Sequence, residues 1–129
     1  MNDTFFIQCV QHGGYLDGGS NHIRPSHHGT GNSGWITWRL IPADNNYIQC
    51  VQTGGFLDGG PKHIWPNTKE SNPNANYIKW RLIPDGYGSV YIQCVQTGCY
   101  LDGGPRHIWS SSKESNPNPN YIKWRFIKA

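Results

Sequence analysis

The chain has no window in which an apolar stripe of helical spacing is sustained over three turns, so nothing in it predicts a helical bundle. No stretch approaches the ~20 apolar residues of a membrane-spanning helix. The opening Met1-Asn2-Asp3-Thr4-Phe5-Phe6 has neither a charged leader nor a long apolar run. The expectation is a soluble protein made without a cleaved signal peptide, cytoplasmic or non-classically released. Charge is sparse: 15% of residues are Asp, Glu, Lys or Arg, for a net +3. The basic residues are scattered singly, without the dense footprint that nucleic-acid binding needs. A nucleophile elbow, a zinc motif and a phosphate loop are all missing, which argues against an enzyme. His27-His28 is the one pair that suggests metal, and spacing supplies no third ligand. No cofactor and no metal are expected.

What the chain does have is aromatic side chains, glycine and repetition. Its 6 Trp, 7 Tyr and 4 Phe can supply much of a core. Its 16 Gly and 9 Pro favour short strands joined by turns. Three repeats run over 6–46, 47–90 and 91–129, offset by 41 and then 44 residues. Between 47–84 and 91–128, 29 of 38 residues are identical. The first repeat is more diverged, mainly between Ser20 and Gly34. One domain over 1–129 is expected.

Each repeat carries four strand signals. In the second, Tyr47–Gln52 alternates, Thr53-Gly54-Gly55 is a turn and Phe56-Leu57-Asp58 is a short strand. Gly59-Gly60-Pro61 is a second turn and His63-Ile64-Trp65 a third strand. A polar loop from Pro66 to Asn76 leads to Tyr77–Ile83, in which Ile78, Trp80 and Leu82 share a face opposite Lys79 and Arg81. That face recurs as Ile36/Trp38/Leu40 and Ile122/Trp124/Phe126. Cys9, Cys50 and Cys94 occupy equivalent positions, a poor arrangement for pairwise disulfides. They read as small buried hydrophobes, and Cys99, standing where the other repeats have a turn glycine, as the exposed thiol. Twelve short strands in three repeats predict an all-β protein, a β-trefoil with pseudo-threefold symmetry, with a three-faced β-prism as the other possibility. A propeller needs more blades.

The candidate site is the echo Leu57-Asp58-Gly59-Gly60-Pro61-Lys62-His63-Ile64-Trp65, which returns at 101–109 as Leu101 to Trp109. If Leu57 and Ile64 point inward, Asp58, His63 and Trp65 share the outer face. A sugar presents paired hydroxyls and one apolar C–H face, so it calls for a carboxylate or amide beside an aromatic plate. Asp58 would accept from two hydroxyls, Trp65 would stack, His63 would fix another hydroxyl and Asn76 would add its amide. Lys69 and Glu70 could reach a second sugar. The third-repeat counterparts are Asp102, His107, Trp109, Asn120, Lys113 and Glu114. The first repeat keeps Asp17 and His22, but Arg24 replaces the Trp and Gly34 the Asn, so it should be silent. Read singly, Asp58 is a common turn residue, His63 surface filler and Trp65 loop packing.

These residues resemble the R-type (ricin-B-like) β-trefoil lectins over essentially the whole chain, and in particular the small trefoil lectins of marine mussels. In that family a repeat builds a galactose site from an Asp in an Asp-Gly turn, a Gln-x-Trp, and an Asn before the strand that ends in a core Trp. Asp58-Gly59 and Asp102-Gly103 match the first feature. His63-Ile64-Trp65 and His107-Ile108-Trp109 take the Gln-x-Trp place, with His for Gln. Asn76 and Asn120 match the amide, and Trp80 and Trp124 the core Trp. The resemblance implies a non-catalytic lectin for galactose- or N-acetylgalactosamine-containing cell-surface glycans. A single-sugar site of this kind is weak, around −4 kcal/mol, so a homodimer is expected to supply avidity. The other class considered is a trefoil used for protein contacts, of protease-inhibitor or cytokine-like kind.

Overall fold

The computed structural model describes residues 3–18, 24–26, 33–59, 65–67, 75–103, 109–111 and 119–129, with the backbone alone at 24–26, 33, 65–67, 75 and 109–111. Six strands pair antiparallel into a closed ring. They are β1 (Thr4–Cys9), β4 (Thr37–Pro42), β5 (Asn46–Cys50), β8 (Lys79–Pro84), β9 (Val90–Cys94) and β12 (Lys123–Lys128). β1 joins β4, β4 joins β5, β5 joins β8, β8 joins β9, β9 joins β12, and β12 returns to β1. Closure leaves no free edge around the ring.

Three hairpins hang from that barrel: β2 (Tyr15–Asp17) with β3 (Arg24–Ser26), β6 (Phe56–Asp58) with β7 (Trp65–Asn67), and β10 (Tyr100–Asp102) with β11 (Trp109–Ser111). Each is attached by one cross-strand pair, Gln8 with Tyr15, Gln49 with Phe56 and Gln93 with Tyr100. The glutamine also closes its own turn, its Nε2 donating to Gly13, Gly54 or Gly98 carbonyl oxygen at 2.9–3.0 Å. An edge-to-face ring pair backs each attachment: Phe6–Tyr15, Tyr47–Phe56 and Tyr91–Tyr100, at 5.6–5.8 Å. A barrel of six strands with three capping hairpins is the architecture of a β-trefoil.

The core lies where the three repeats meet. Trp38, Trp80 and Trp124 are almost wholly buried, together with Ile7, Ile48 and Ile92, Leu16, Leu57 and Leu101, and Cys9, Cys50 and Cys94. All four cysteines are free; Cys9, Cys50 and Cys94 are buried, and Cys99 is the most exposed of the four, though half-buried. Burial pushes the Cys9 thiol above its ordinary value, and the Asp102 carboxylate adds to that. Tyr47, Phe56 and Ile78 form a separate small cluster under the second hairpin.

Two features depart from the sequence reading. The third strand of the second repeat is Trp65–Asn67 rather than 63–65, because the hairpin register opposes Phe56 to Asn67 and Asp58 to Trp65. The predicted polar loop therefore begins after Asn67. Its end is not a loop but a 3-10 turn, η2 (Ala75–Ile78), with η1 (Ser33–Ile36) and η3 (Pro119–Ile122) at the matching places. Four residues are too few to show a period.

The loop Asp85-Gly86-Tyr87-Gly88-Ser89 joins β8 to β9, where Ala43–Asn45 joins β4 to β5. Gly86 and Gly88 have φ of 88° and 91°, a conformation that L side chains resist. The Asp85 carboxylate organises the loop. It accepts from Tyr87 N at 2.7 Å, Ser89 N at 3.2 Å and Ser89 Oγ at 2.5 Å, with Lys123 Nζ at 3.8 Å. The Ser89 hydroxyl, then the Tyr87 amide, hold its carboxyl below the ordinary range. A depressed carboxyl contributes stability that is present above its unfolded-state value and is lost as pH falls through its folded-state value. Asp85→Asn should therefore melt earlier than wild type at neutral pH, and that gap should close as pH falls below 3.8, the ordinary value. Thermal melts from neutral pH to about pH 2.5 check this. A gap that stays constant with pH would remove the charge from the explanation.

Candidate functional site

The candidate site begins at the core tryptophan. Trp80 Nε1 donates to the carbonyl of Leu57 at 3.0 Å, the residue before Asp58. Trp38 does the same to Leu16 and Trp124 to Leu101, each at 3.0 Å. The next residue is held too: Gly59 N donates to Tyr77 O at 2.8 Å and Gly103 N to Tyr121 O at 2.8 Å. Asp58 and Asp102 are thus fixed from both sides, by a core indole and by a 3-10 turn.

The glycine after each Asp serves space rather than turn conformation. A Cβ on Gly59 would lie 2.7 Å from Cys94 Sγ and 3.0 Å from Trp80 Cη2. On Gly103 it would meet Cys9 Sγ at 2.8 Å and Trp124, and on Gly18 Cys50 Sγ at 2.7 Å and Trp38. Each Asp-Gly step therefore presses against the core Trp of its own repeat and the cysteine of the next. Asp-Gly reads in sequence as a turn signal, and here it marks a contact between repeats.

Three of the candidates in the second repeat come together. Asp58 is the cross-strand partner of Trp65. Asn76 sits in η2 beside Tyr77, whose carbonyl receives the Gly59 amide. In the third repeat Asp102 opposes Trp109, and Asn120 precedes Tyr121 in the same way. The sequence places Asp58 and Asp102 on an open face, yet they are only 6% and 7% exposed. The Asp-Gly step is drawn down by the indole and the 3-10 turn, so the carboxylates are largely covered. Asn76 is exposed and Asn120 half-buried. His63, Lys69, Glu70, His107, Lys113 and Glu114 lie outside the described residues, as do His22, His27 and His28. Of Trp65 and Trp109 the backbone position is described. Among the described residues no group of three His, Cys, Asp or Glu side chains could hold a metal ion.

The first repeat is equivalent in backbone and different in chemistry. Asp17 opposes Arg24, so the basic residue occupies the register position of Trp65 and Trp109. Gly34 O accepts from Gln52 N at 3.2 Å as Asn76 O accepts from Gln96 N at 3.2 Å, so Gly34 stands at the place of the amide. Asp17 is also more exposed than its counterparts.

No known protein-family model matches the chain, and no curated protein sequence does. Solved structures do match it in shape. A designed threefold-symmetric protein, ThreeFoil, superposes with a TM-score of 0.82 at 16% identity, over 98% of this chain and 99% of that one. The fold is a β-trefoil. The lectin SeviL, in a structure bound to asialo-GM1 saccharide, superposes with a TM-score of 0.77 at 15% identity, over 100% and 99%. The agglutinin of Rhizoctonia solani gives 0.75 at 15% identity, over 100% and 96%. At these identities the likeness is one of fold, shared with lectins across the full length of the chain. Among the described residues no helix is long and apolar enough to cross a membrane.

Proposed function

We propose that the chain is a non-catalytic lectin of ricin-B-like kind that recognises galactose- or N-acetylgalactosamine-containing cell-surface glycans through its second and third repeats. The observation that carries this reading is the twofold recurrence of one arrangement. A carboxylate fixed by a core indole lies across the hairpin from a tryptophan position and beside a 3-10 turn bearing an asparagine. The carboxylate binds hydroxyls as an acceptor, and its partial burial strengthens those bonds by excluding water. His63, Lys69, His107 and Lys113 complete the proposed sites, with Trp65 and Trp109 as plates for the sugar's C–H face. The shared fold with SeviL and the Rhizoctonia agglutinin supports the assignment. Two weak sites in one chain, doubled in a homodimer, would give avidity on a cell surface.

The test is a glycan array followed by titration with lactose. Asp58→Ala and Asp102→Ala should each weaken their own site by roughly 10- to 100-fold, the loss of a charge-assisted hydrogen bond of ~1.5–3 kcal/mol. The double variant should be silent and still folded, and Asp17→Ala should bind as wild type. A folded double variant with normal lactose binding would overturn the site assignment.

One observation favours the second reading, a protein-contact module. The Asp85–Ser89 loop presents Tyr87 at 90% exposure and interrupts the threefold pattern. A silent glycan array would leave that loop as the leading surface.

A further inference from the structure

His12 distinguishes the third-repeat site from the second. It lies in the turn that follows β1, in the first repeat, yet its Nε2 is 2.6 Å from the carbonyl oxygen of Gly103, 91 residues away. The same ring accepts at Nδ1 from the Gly14 amide at 2.9 Å. A carbonyl oxygen only accepts and an amide only donates, so the two bonds together fix a neutral imidazole with its proton on Nε2. Gly103 is then held at both of its backbone polar groups, its N–H by Tyr121 and its C=O by His12. The ring also lies 6.3 Å from that of Tyr121.

Threefold symmetry shows what is special here. The turn that packs on Gly103 follows Cys9, the one on Gly18 follows Cys50, and the one on Gly59 follows Cys94. The third residue after each cysteine is His12, Thr53 and Thr97 respectively. Thr53 and Thr97 spend their hydroxyls inside their own turns, on Gly55 N at 3.0 Å and Cys99 N at 3.1 Å. Among the described residues, only at the third repeat does the turn residue bond to the glycine beside the candidate aspartate.

We infer that His12 is a positioning residue for the third-repeat site: its ring, bonded at both nitrogens, clamps the Asp102-Gly103 step, so this site, unlike that of the second repeat, loses affinity when the His12 ring is removed. This rests on the lectin reading given above. His12→Thr removes the bond that reaches Gly103, and His12→Gln keeps one donor and one acceptor for the two partners.

The experiment has two arms. In the first, nitrogen-15 NMR of the wild type reads the His12 tautomer. His12→Thr and His12→Gln are then compared with it by amide shifts. The Nε2-protonated tautomer is expected, with His12→Thr moving the Asp102 and Gly103 amides and leaving Asp58 and Gly59 in place. The other tautomer, or unmoved Asp102 and Gly103 amides, would overturn the inference. In the second arm, lactose is titrated in the Asp58→Ala background, where only the third-repeat site remains. His12→Thr should bind about three- to tenfold more weakly, the loss of one hydrogen bond. His12→Gln, whose amide can donate and accept at the same places, should restore binding. Lactose binding by His12→Thr at the wild-type level would overturn the inference. If lactose binds no variant at all, the lectin reading fails, and the amide shifts still decide whether His12 holds the turn.

Discussion

Trp80→Phe is expected to lower stability by about 2–4 kcal/mol, with Trp38→Phe and Trp124→Phe close behind. Each indole is essentially inaccessible and fills the space where its repeat meets the next. Phenylalanine leaves part of that volume empty. It also removes the N–H that satisfies a buried carbonyl, Leu57 O for Trp80 at 3.0 Å. An unpaired buried carbonyl costs ~1–3 kcal/mol by itself, beyond the cavity. Thermal melts should show Tm falling by roughly 8–15 °C. Tyr87→Phe is the control: a ring exposed at 90% should change stability by less than about 0.5 kcal/mol. A loss below about 1 kcal/mol for Trp80→Phe would mean that the indole bond contributes little. Because Leu57 precedes Asp58, the same variant should weaken the second-repeat site while the protein is still folded.

Those tryptophans are also where the sequence was most readable. Ile78, Trp80 and Leu82 alternate with Lys79 and Arg81, and three copies of that pattern announce a core on a pseudo-threefold axis. Ile78 and Trp80 are fully buried, and Leu82 packs against the core from a partly covered position. The equivalence of Cys9, Cys50 and Cys94 likewise pointed to packing rather than to disulfides, and all three are buried and free. Repetition carries this information because the same side chain must solve the same packing problem three times. Where an element is short the signal fades. The 3-10 turns span four residues each, and the three-residue strand at Trp65 is set by its register against Phe56–Asp58, not by any alternation of its own.

The candidate site was legible as a set of residue types and less so as geometry. Asp58, Trp65 and Asn76 are separated in the sequence by seven and eleven positions, and the hairpin register and η2 bring their backbones together. Their equivalents in the first repeat, Asp17, Arg24 and Gly34, fall at the same register positions. Burial of the carboxylates was not legible, because it comes from the pull of Trp80 and Tyr77 on the Asp-Gly step. His12 was hidden for a different reason. Its partner Gly103 is 91 residues away, and no local pattern announces a contact that only barrel closure creates.

Gly59→Ala is expected to destabilise the protein by about 1–3 kcal/mol, the range for forcing one extra methyl into a close-packed interior. The glycine does not have a positive φ, so the cost is steric. The new methyl would lie 2.7 Å from Cys94 Sγ and 3.0 Å from both Cys94 Cβ and Trp80 Cη2. The sulfur is the nearest obstacle, and Cys94→Ala removes it. The double variant Gly59→Ala/Cys94→Ala should therefore be more stable than the sum of its single changes by about 0.5–2 kcal/mol, as coupled neighbours are. Gly54→Ala serves as the contrast. Its φ is 74° and no atom lies within 4 Å of the added methyl, so its cost is backbone strain, which Cys94→Ala cannot relieve. Denaturant unfolding of the three single and two double variants measures both couplings. Additive losses for Gly59→Ala and Cys94→Ala would refute the steric account. The expected coupling ties the candidate site to the architecture. The cysteine belongs to the third repeat and the glycine to the second, so the step that carries the carboxylate packs directly against the neighbouring repeat.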